Sequence, residues 1–131
     1  MTAELSAEVR SWLDAASFAT VATLNADGHP QLSVVWVERD GDVIVFSTVV
    51  GRRKERNLRR DPRATMLLSL TDPYRYAEVR GRVTISEEDG RDLIDRLSLK
   101  YRGVTPYPGD RGTDNVRVAV RLAPERVFFY E

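Results

Sequence analysis

The chain contains no cysteine. Disulfides, thiol nucleophiles and cysteine-ligated metal centres are therefore excluded. Its one histidine, His29, lies in a turn sequence. Neither a Ser-His-Asp triad nor a multi-histidine metal site is expected within one chain. No apolar run approaches the roughly 20 residues of a membrane-crossing helix. Met1-Thr2-Ala3-Glu4 lacks the basic start and apolar stretch of a secretory leader. The expectation is a cytoplasmic protein with no membrane role. Neither sign of charge dominates, because 20 Lys and Arg balance 20 Asp and Glu. A domain built to coat nucleic acid carries a cationic excess, so that class is disfavoured. No carboxylate pair of the glycosidase kind stands out, and no Walker or Rossmann glycine loop is present.

What is present is a globular composition, 42% hydrophobic and 31% charged over 131 residues. That length fits one domain, residues 1–131, with no repeat or low-complexity linker. Residues 5–16 place Leu5, Val9, Trp12, Leu13 and Ala16 at helical spacing behind a Ser6 N-cap. Phe18 to Leu24 alternates as a strand, and Asn25-Ala26-Asp27-Gly28 is a turn. Strands are expected over Gln31–Glu38, Asp42–Thr48, Arg63–Leu70, Arg75–Ile85 and Val116–Tyr130, the last interrupted near Pro124. Gly81 reads as a bulge or a close backbone approach. A basic helix spans Gly51 to Arg60 and stops at Asp61-Pro62. Ser86 is expected to cap a helix through Tyr101, with Asp89 completing a capping box. The Gly- and Pro-rich segment 102–115 is a long loop, a candidate lid or substrate-side wall. Six hairpin-linked strands with three helices make a mainly β fold, a small antiparallel barrel.

Charge is unevenly distributed. Arg52, Arg53, Lys54, Arg56, Arg59 and Arg60 form a basic block, while Glu87, Glu88, Asp89, Asp92 and Asp95 form an acidic one. A charge run of this kind is either a solvated helix face or an anion site. Cations at a helix start oppose the helix dipole, and only Leu58 gives this helix an apolar face, so packing alone does not explain it. Ser47 and Thr48, just before it, suit a phosphate at a strand-to-helix junction. No aromatics interleave with the cations, so base stacking is unsupported. Gln31 and Ser33 share a strand face with Val35 and Val37, opposite Leu32, Val34 and Trp36. They are either the wet half of an ordinary strand or hydrogen-bonding groups for the edge of a heterocycle. Tyr74, Arg75 and Tyr76 read as a hairpin loop with an aromatic pair over a core edge.

Three motifs in order carry a resemblance. They are Ala22-Thr23-Leu24-x-x-Asp27-Gly28-x-Pro30-Gln31-Leu32-Ser33, then Arg52-x-Lys54-x-x-Asn57-Leu58-Arg59-Arg60-Asp61-Pro62-Arg63-Ala64, then Tyr76-Ala77-Glu78-Val79-Arg80-Gly81. From about residue 5 to the C-terminus the chain resembles the split β-barrel flavin and deazaflavin oxidoreductases related to pyridoxamine 5′-phosphate oxidase. The specific likeness is to the branch that uses coenzyme F420. The resemblance implies a six-stranded antiparallel split β-barrel of the FMN-binding type, forming a homodimer with the cofactor in a groove at the interface. It implies that Gln31, Leu32, Ser33, Val34 and Val35 line the ring, and that Ser47 and Thr48 lie beside the ribityl chain. Arg52, Arg53 and Lys54 would hold the phosphate, flanked by Asn57 and Arg60. Tyr74, Arg75 and Tyr76 would arrive from the partner subunit, and Trp36 would pack at the interface.

The implied activity is hydride transfer from reduced F420 to an electron-poor small molecule such as an enone, an imine or a tetrapyrrole. The protein supplies orientation, electrostatics and shielding, and no residue is assigned as catalytic or as a metal ligand. Val120-Arg121-Leu122-Ala123-Pro124 resembles the Arg-Leu-x-Pro ending of true pyridoxamine phosphate oxidases, yet the chain continues to Glu131 and offers no second phosphate site for the vitamin. The rivals are the same barrel using FMN, a non-catalytic cofactor carrier or haem-binding barrel, and a nucleic-acid binder using the Arg52–Arg60 block.

Overall fold

Among the described residues, seven antiparallel strands form one sheet in the order β2-β1-β5-β6-β7-β4-β3. The strands are β1 (Phe18–Leu24), β2 (Pro30–Val35), β3 (Val37–Asp40), β4 (Val43–Val49), β5 (Arg63–Ser69), β6 (Tyr76–Ser86) and β7 (Arg117–Tyr130). Among the described residues, three helices, α1 (Ala7–Asp14), α2 (Arg53–Arg60) and α3 (Gly90–Arg102), complete the fold with a short 3-10 turn at Pro108–Asp110. The computed structural model describes residues 3–131. Met1 and Thr2, the start of the segment read as lacking a leader, lie outside them.

The sheet's two edges, β2 and β3, are consecutive in the chain and meet at Trp36. This is where the barrel is split. The sequence predicts one strand over Gln31–Glu38 and six strands in all, and the structure has seven. β2 pairs with β1, whereas β3 pairs with β4. Trp36 sits between the two partners and stacks on Tyr101 with ring centroids 5.4 Å apart. The Val37 N–H donates to Tyr101 Oη at 3.1 Å instead of to a neighbouring strand.

The interior is lined by Val21, Val37, Ile44, Phe46, Met66, Leu68, Val79 and Leu122 and closed by Val9, Trp12 and Leu13 of α1. Ser6 caps α1 as expected, accepting from the Val9 N–H at 3.2 Å. A second cluster, Leu93 and Leu97 against Val45 and Ala119, seats α3 outside the sheet on β4 and β7.

Two glycines are required by close backbone approach. A Cβ on Gly81 would lie 2.0 Å from the Ala123 carbonyl oxygen. The β6–β7 register shifts at that point, so the expected bulge is present. A Cβ on Gly90 would lie 1.8 Å from the Arg117 carbonyl oxygen. This contact corrects the expected cap of α3. Ser86 stays in the ladder opposite Ala119, and the helix begins after Asp89, which makes no side-chain capping bond.

Candidate functional site

The basic helix α2 is docked mainly by polar bonds. Leu58 buries an apolar side chain, worth about 2 kcal/mol. Asn57, only 1% exposed, donates to Thr23 Oγ1 at 3.0 Å and to Asn25 Oδ1 at 2.9 Å. Arg60 donates to the Leu24 carbonyl at 2.7 Å and to Asn57 Oδ1 at 3.0 Å. The buried Glu55 carboxylate accepts from the Gly51 N–H at 2.8 Å and pairs with Arg59. Burial opposes the charge of Glu55, but these bonds outweigh it and hold the carboxyl below its usual range. A helix with one apolar residue is thereby fixed against β1 and the β1–β2 turn.

This docking leaves cations free. Among the described residues, Arg52, Arg53, Lys54, Arg56 and Arg60 have no carboxylate within ion-pair distance. Lys54 donates to Ser33 Oγ at 2.9 Å, which joins the first turn of α2 to edge strand β2. Burial, and then the charges of Arg52 and Arg117, push the Lys54 ammonium below the usual lysine value. A group in that state gains from an incoming anion.

Lys54 opens onto a groove of about 190 Å³. Its walls are Val34 and Val35 of β2, Trp36, Ser47 of β4, Arg52, Ile94 and Leu97 of α3, Tyr107 and Arg117. Arg117 is held in place. Its Nε and Nη2 reach the two oxygens of Asp110 at 2.7 and 2.9 Å, and both side chains are 6% exposed. Arg91 and Asn115 also donate to Asp110, each at 2.9 Å. The Arg117 bonds, despite burial, pull the Asp110 carboxyl far below its usual range. The remaining Arg117 nitrogen reaches Ser47 Oγ at 3.4 Å. The groove thus has a polar end holding Lys54, Arg52, Arg117 and two hydroxyls, beside an apolar wall of Val34, Val35, Ile94 and Leu97.

The sequence-predicted residues divide into groups. Val34, Val35, Ser47, Arg52 and Lys54 line the groove, with Ser33 bonded to Lys54 at its margin. Gln31 lies one step along the same face, 3.4 Å from Thr23 Oγ1. Leu32 stands outside, 63% exposed on the opposite face. Thr48 points away from Ser47 into the interior, because successive residues of a strand face opposite ways. Its hydroxyl has no partner there. Arg53, Asn57 and Arg60 line a separate recess with Ala26 and Arg56. Tyr74, Arg75 and Tyr76 are not in the groove of their own chain. Arg75 is engaged by Glu8 of α1, at 2.8 Å for one oxygen, and Tyr76 stacks on Tyr130. Trp36 is a wall of the groove within its own chain.

Arg117, Asp110 and Tyr107 were not legible as site residues. Arg117 meets the groove through the β4–β7 pairing, which sets it opposite Val49, 68 positions earlier in the chain. No local spacing signals that contact.

The pyridoxamine 5′-phosphate oxidase family matches residues 5–131. A solved structure described as an F420 reductase is 31% identical, with a TM-score of 0.79, over 91% of this chain and 94% of that one. A conserved hypothetical protein of Mycobacterium tuberculosis is 27% identical, with a TM-score of 0.80, over 99% of this chain and 86% of that one. A pyridoxamine 5′-phosphate oxidase-related, FMN binding protein of Nostoc punctiforme shares the fold at 17% identity, with a TM-score of 0.64, over 90% of this chain and 75% of that one. Among the described residues no helix is long and apolar enough to cross a membrane. With its split barrel, its edge-strand groove and a family match spanning nearly the whole sequence, the chain belongs to the pyridoxamine 5′-phosphate oxidase family of oxidoreductase-like split β-barrels.

Proposed function

We propose that this protein is a reductase that uses the deazaflavin coenzyme F420 and passes a hydride to an electron-poor small molecule. The observation that carries the reading is a pair of carboxylate-free cations, Arg52 and Lys54, joined by the Asp110-held Arg117 around one groove beside an edge strand. These groups fit a cofactor with a planar ring and a phosphorylated tail. Arg52 and Lys54 hold the phosphate at the start of α2, where the helix dipole adds to the attraction. Arg117 and Ser47 offer further donors along the groove. β2 lies at the sheet edge, so one side of its backbone is free to hydrogen-bond the ring's polar rim. Val34 and Val35 provide apolar contact with the ring face. When bound, the coenzyme supplies the hydride chemistry, and the chain supplies orientation and exclusion of water. The likeness to an F420 reductase supports the choice of deazaflavin over FMN.

The working unit in this reading is a homodimer. A groove of about 190 Å³ is smaller than the roughly 300–1,000 Å³ of sites that enclose ligands of this size. A second wall is needed. Phe18, Leu32, Val34 and Leu67 stand exposed on one face of the β2-β1-β5 side of the sheet, an apolar row suited to a second copy. Tyr74, Arg75 and Tyr76 of the partner then face the groove.

The test is a pair of titrations with F420 and FMN, followed by turnover of an enone, imine and biliverdin panel with reduced F420. Micromolar F420 binding with consumption of reduced coenzyme supports the reading. FMN binding with no F420 binding overturns the choice of coenzyme. F420 binding without turnover of any acceptor leaves a carrier.

A further inference from the structure

A second recess, about 340 Å³, lies behind the groove wall. Trp36, Ser98, Arg102, Val104, Tyr107 and Pro108 line it. Trp36 and Tyr107 border both this recess and the groove, so the two cavities are neighbours across two aromatic rings.

Three features mark the recess as a place for a ligand. The first is a fixed aromatic floor. Trp36 is held by Tyr101 stacked at 5.4 Å and by the edge of Tyr107 at 5.9 Å. The second is an unused charge. The Arg102 guanidinium lies over the Trp36 ring, 5.6 Å from its centroid, and no carboxylate among the described residues pairs with it. A guanidinium on an aromatic plane presents its fork edge-on to a planar carboxylate. The third is an orphan. Ser98 is 1% exposed, lines the recess, and its hydroxyl has no hydrogen-bond partner. A serine within a helix ordinarily returns its hydroxyl to the preceding turn, and a buried polar atom left unmatched calls for an explanation.

We infer that this recess binds a planar aromatic or conjugated carboxylate, with Arg102 taking the carboxylate, Ser98 a second polar atom and the Trp36 and Tyr107 rings forming the walls that enclose its apolar body. As an acceptor anchored there, such a molecule would reach past Trp36 and Tyr107 toward the groove. That use rests on the proposed reductase function; the binding itself does not. The substrate class is thereby narrowed to anionic conjugated acceptors.

The test uses naphthoate as the probe and its uncharged amide as the control, added to the full-length protein. A proton–nitrogen correlation spectrum reads the two indole N–H groups separately. Trp12 is buried in the core against Phe129 and serves as an internal reference. The expected result is a saturable shift of the Trp36 signal with Trp12 unmoved, and weaker binding of the amide. Arg102→Ala should weaken naphthoate about tenfold, the usual loss for one charge-assisted contact. Ser98→Ala should weaken it by a smaller factor, and Lys54→Ala should leave it unchanged. No Trp36 shift overturns the inference. So does a shift that survives Arg102→Ala but is lost in Lys54→Ala, because the anion is then in the groove. A separate F420 titration keeps the two readings apart. Loss of F420 binding with naphthoate retained sinks the reductase and leaves the recess; the reverse sinks only the recess.

Discussion

Lys54 on α2 and Ser33 on β2 are joined by a 2.9 Å hydrogen bond, the direct link between the basic helix and the sheet edge. It sets the ammonium at the mouth of the groove, partly desolvated and under the repulsion of the Arg52 and Arg117 charges. Lys54→Ala should therefore weaken F420 binding by about 1.5–3 kcal/mol, the range for a hydrogen bond to a charged group. Fluorescence titration of the coenzyme measures the loss. Thermal unfolding of the unliganded variant should be little changed, because the folded protein already holds this cation at a cost.

The same environment fixes a pH dependence. Burial first, then Arg52 and Arg117, lower the Lys54 pKa below 10.5. Below that lowered value the ammonium is charged and anion affinity is full. As pH rises through it, affinity falls, earlier than it would for an exposed lysine. A bound phosphate favours the charged form, so binding takes up protons in that window. Calorimetry in two buffers of different ionisation enthalpy detects the uptake. Lys54→Arg should remove the dependence, since a guanidinium does not deprotonate there.

Asp110 holds Arg117 without lining the groove itself. Asp110→Asn leaves a buried guanidinium short of its counter-charge and should cost about 3 kcal/mol of stability. Urea unfolding measures it. In the parent protein the carboxyl is held far below its usual range by Arg117. Its contribution is therefore complete above the ordinary carboxylate range and is lost as pH falls below it. The variant should show a flatter acid limb in stability against pH.

Much of the fold was legible in local pattern. The Phe18–Leu24 alternation, the Ser6 cap, the stop at Asp61-Pro62 and the tight place at Gly81 are all written within a few residues. The break at Trp36 was not, because Gln31–Glu38 is uniformly extended in sequence. Only the pairing of its halves with different strands divides it. Ser86 misled for a related reason. It has the chemistry of a cap, but the ladder to β7 holds it and the approach of Gly90 to Arg117 sets the helix start. At the site, the cationic block was visible as a charge excess. Arg117 was not, because a lone arginine at the head of an apolar strand carries no sign of the groove it meets.

Gly81→Ala tests the tightest packing directly. Its new methyl would meet the Ala123 carbonyl at 2.0 Å, so the β6–β7 pair must part. The loss should be about 2 kcal/mol or more by chemical denaturation. A neutral outcome would mean that the bulge relaxes at no cost.

The proposed homodimer predicts that charge on the apolar face separates subunits. Phe18 is 67% exposed, so Phe18→Asp should leave the fold of one chain intact. The measured mass by light scattering should halve relative to the parent, and F420 affinity should fall with it, though the groove's own residues are untouched. A monomeric parent protein contradicts this part of the reading.

The central claim is that the free cations of the groove hold the anionic tail of a planar redox coenzyme. The crystal structure of the protein grown with F420 tests it most directly. The account predicts the phosphate within hydrogen-bonding distance of Arg52 and Lys54, with the ring against β2. A coenzyme bound elsewhere, with those two side chains turned to solvent, would contradict it.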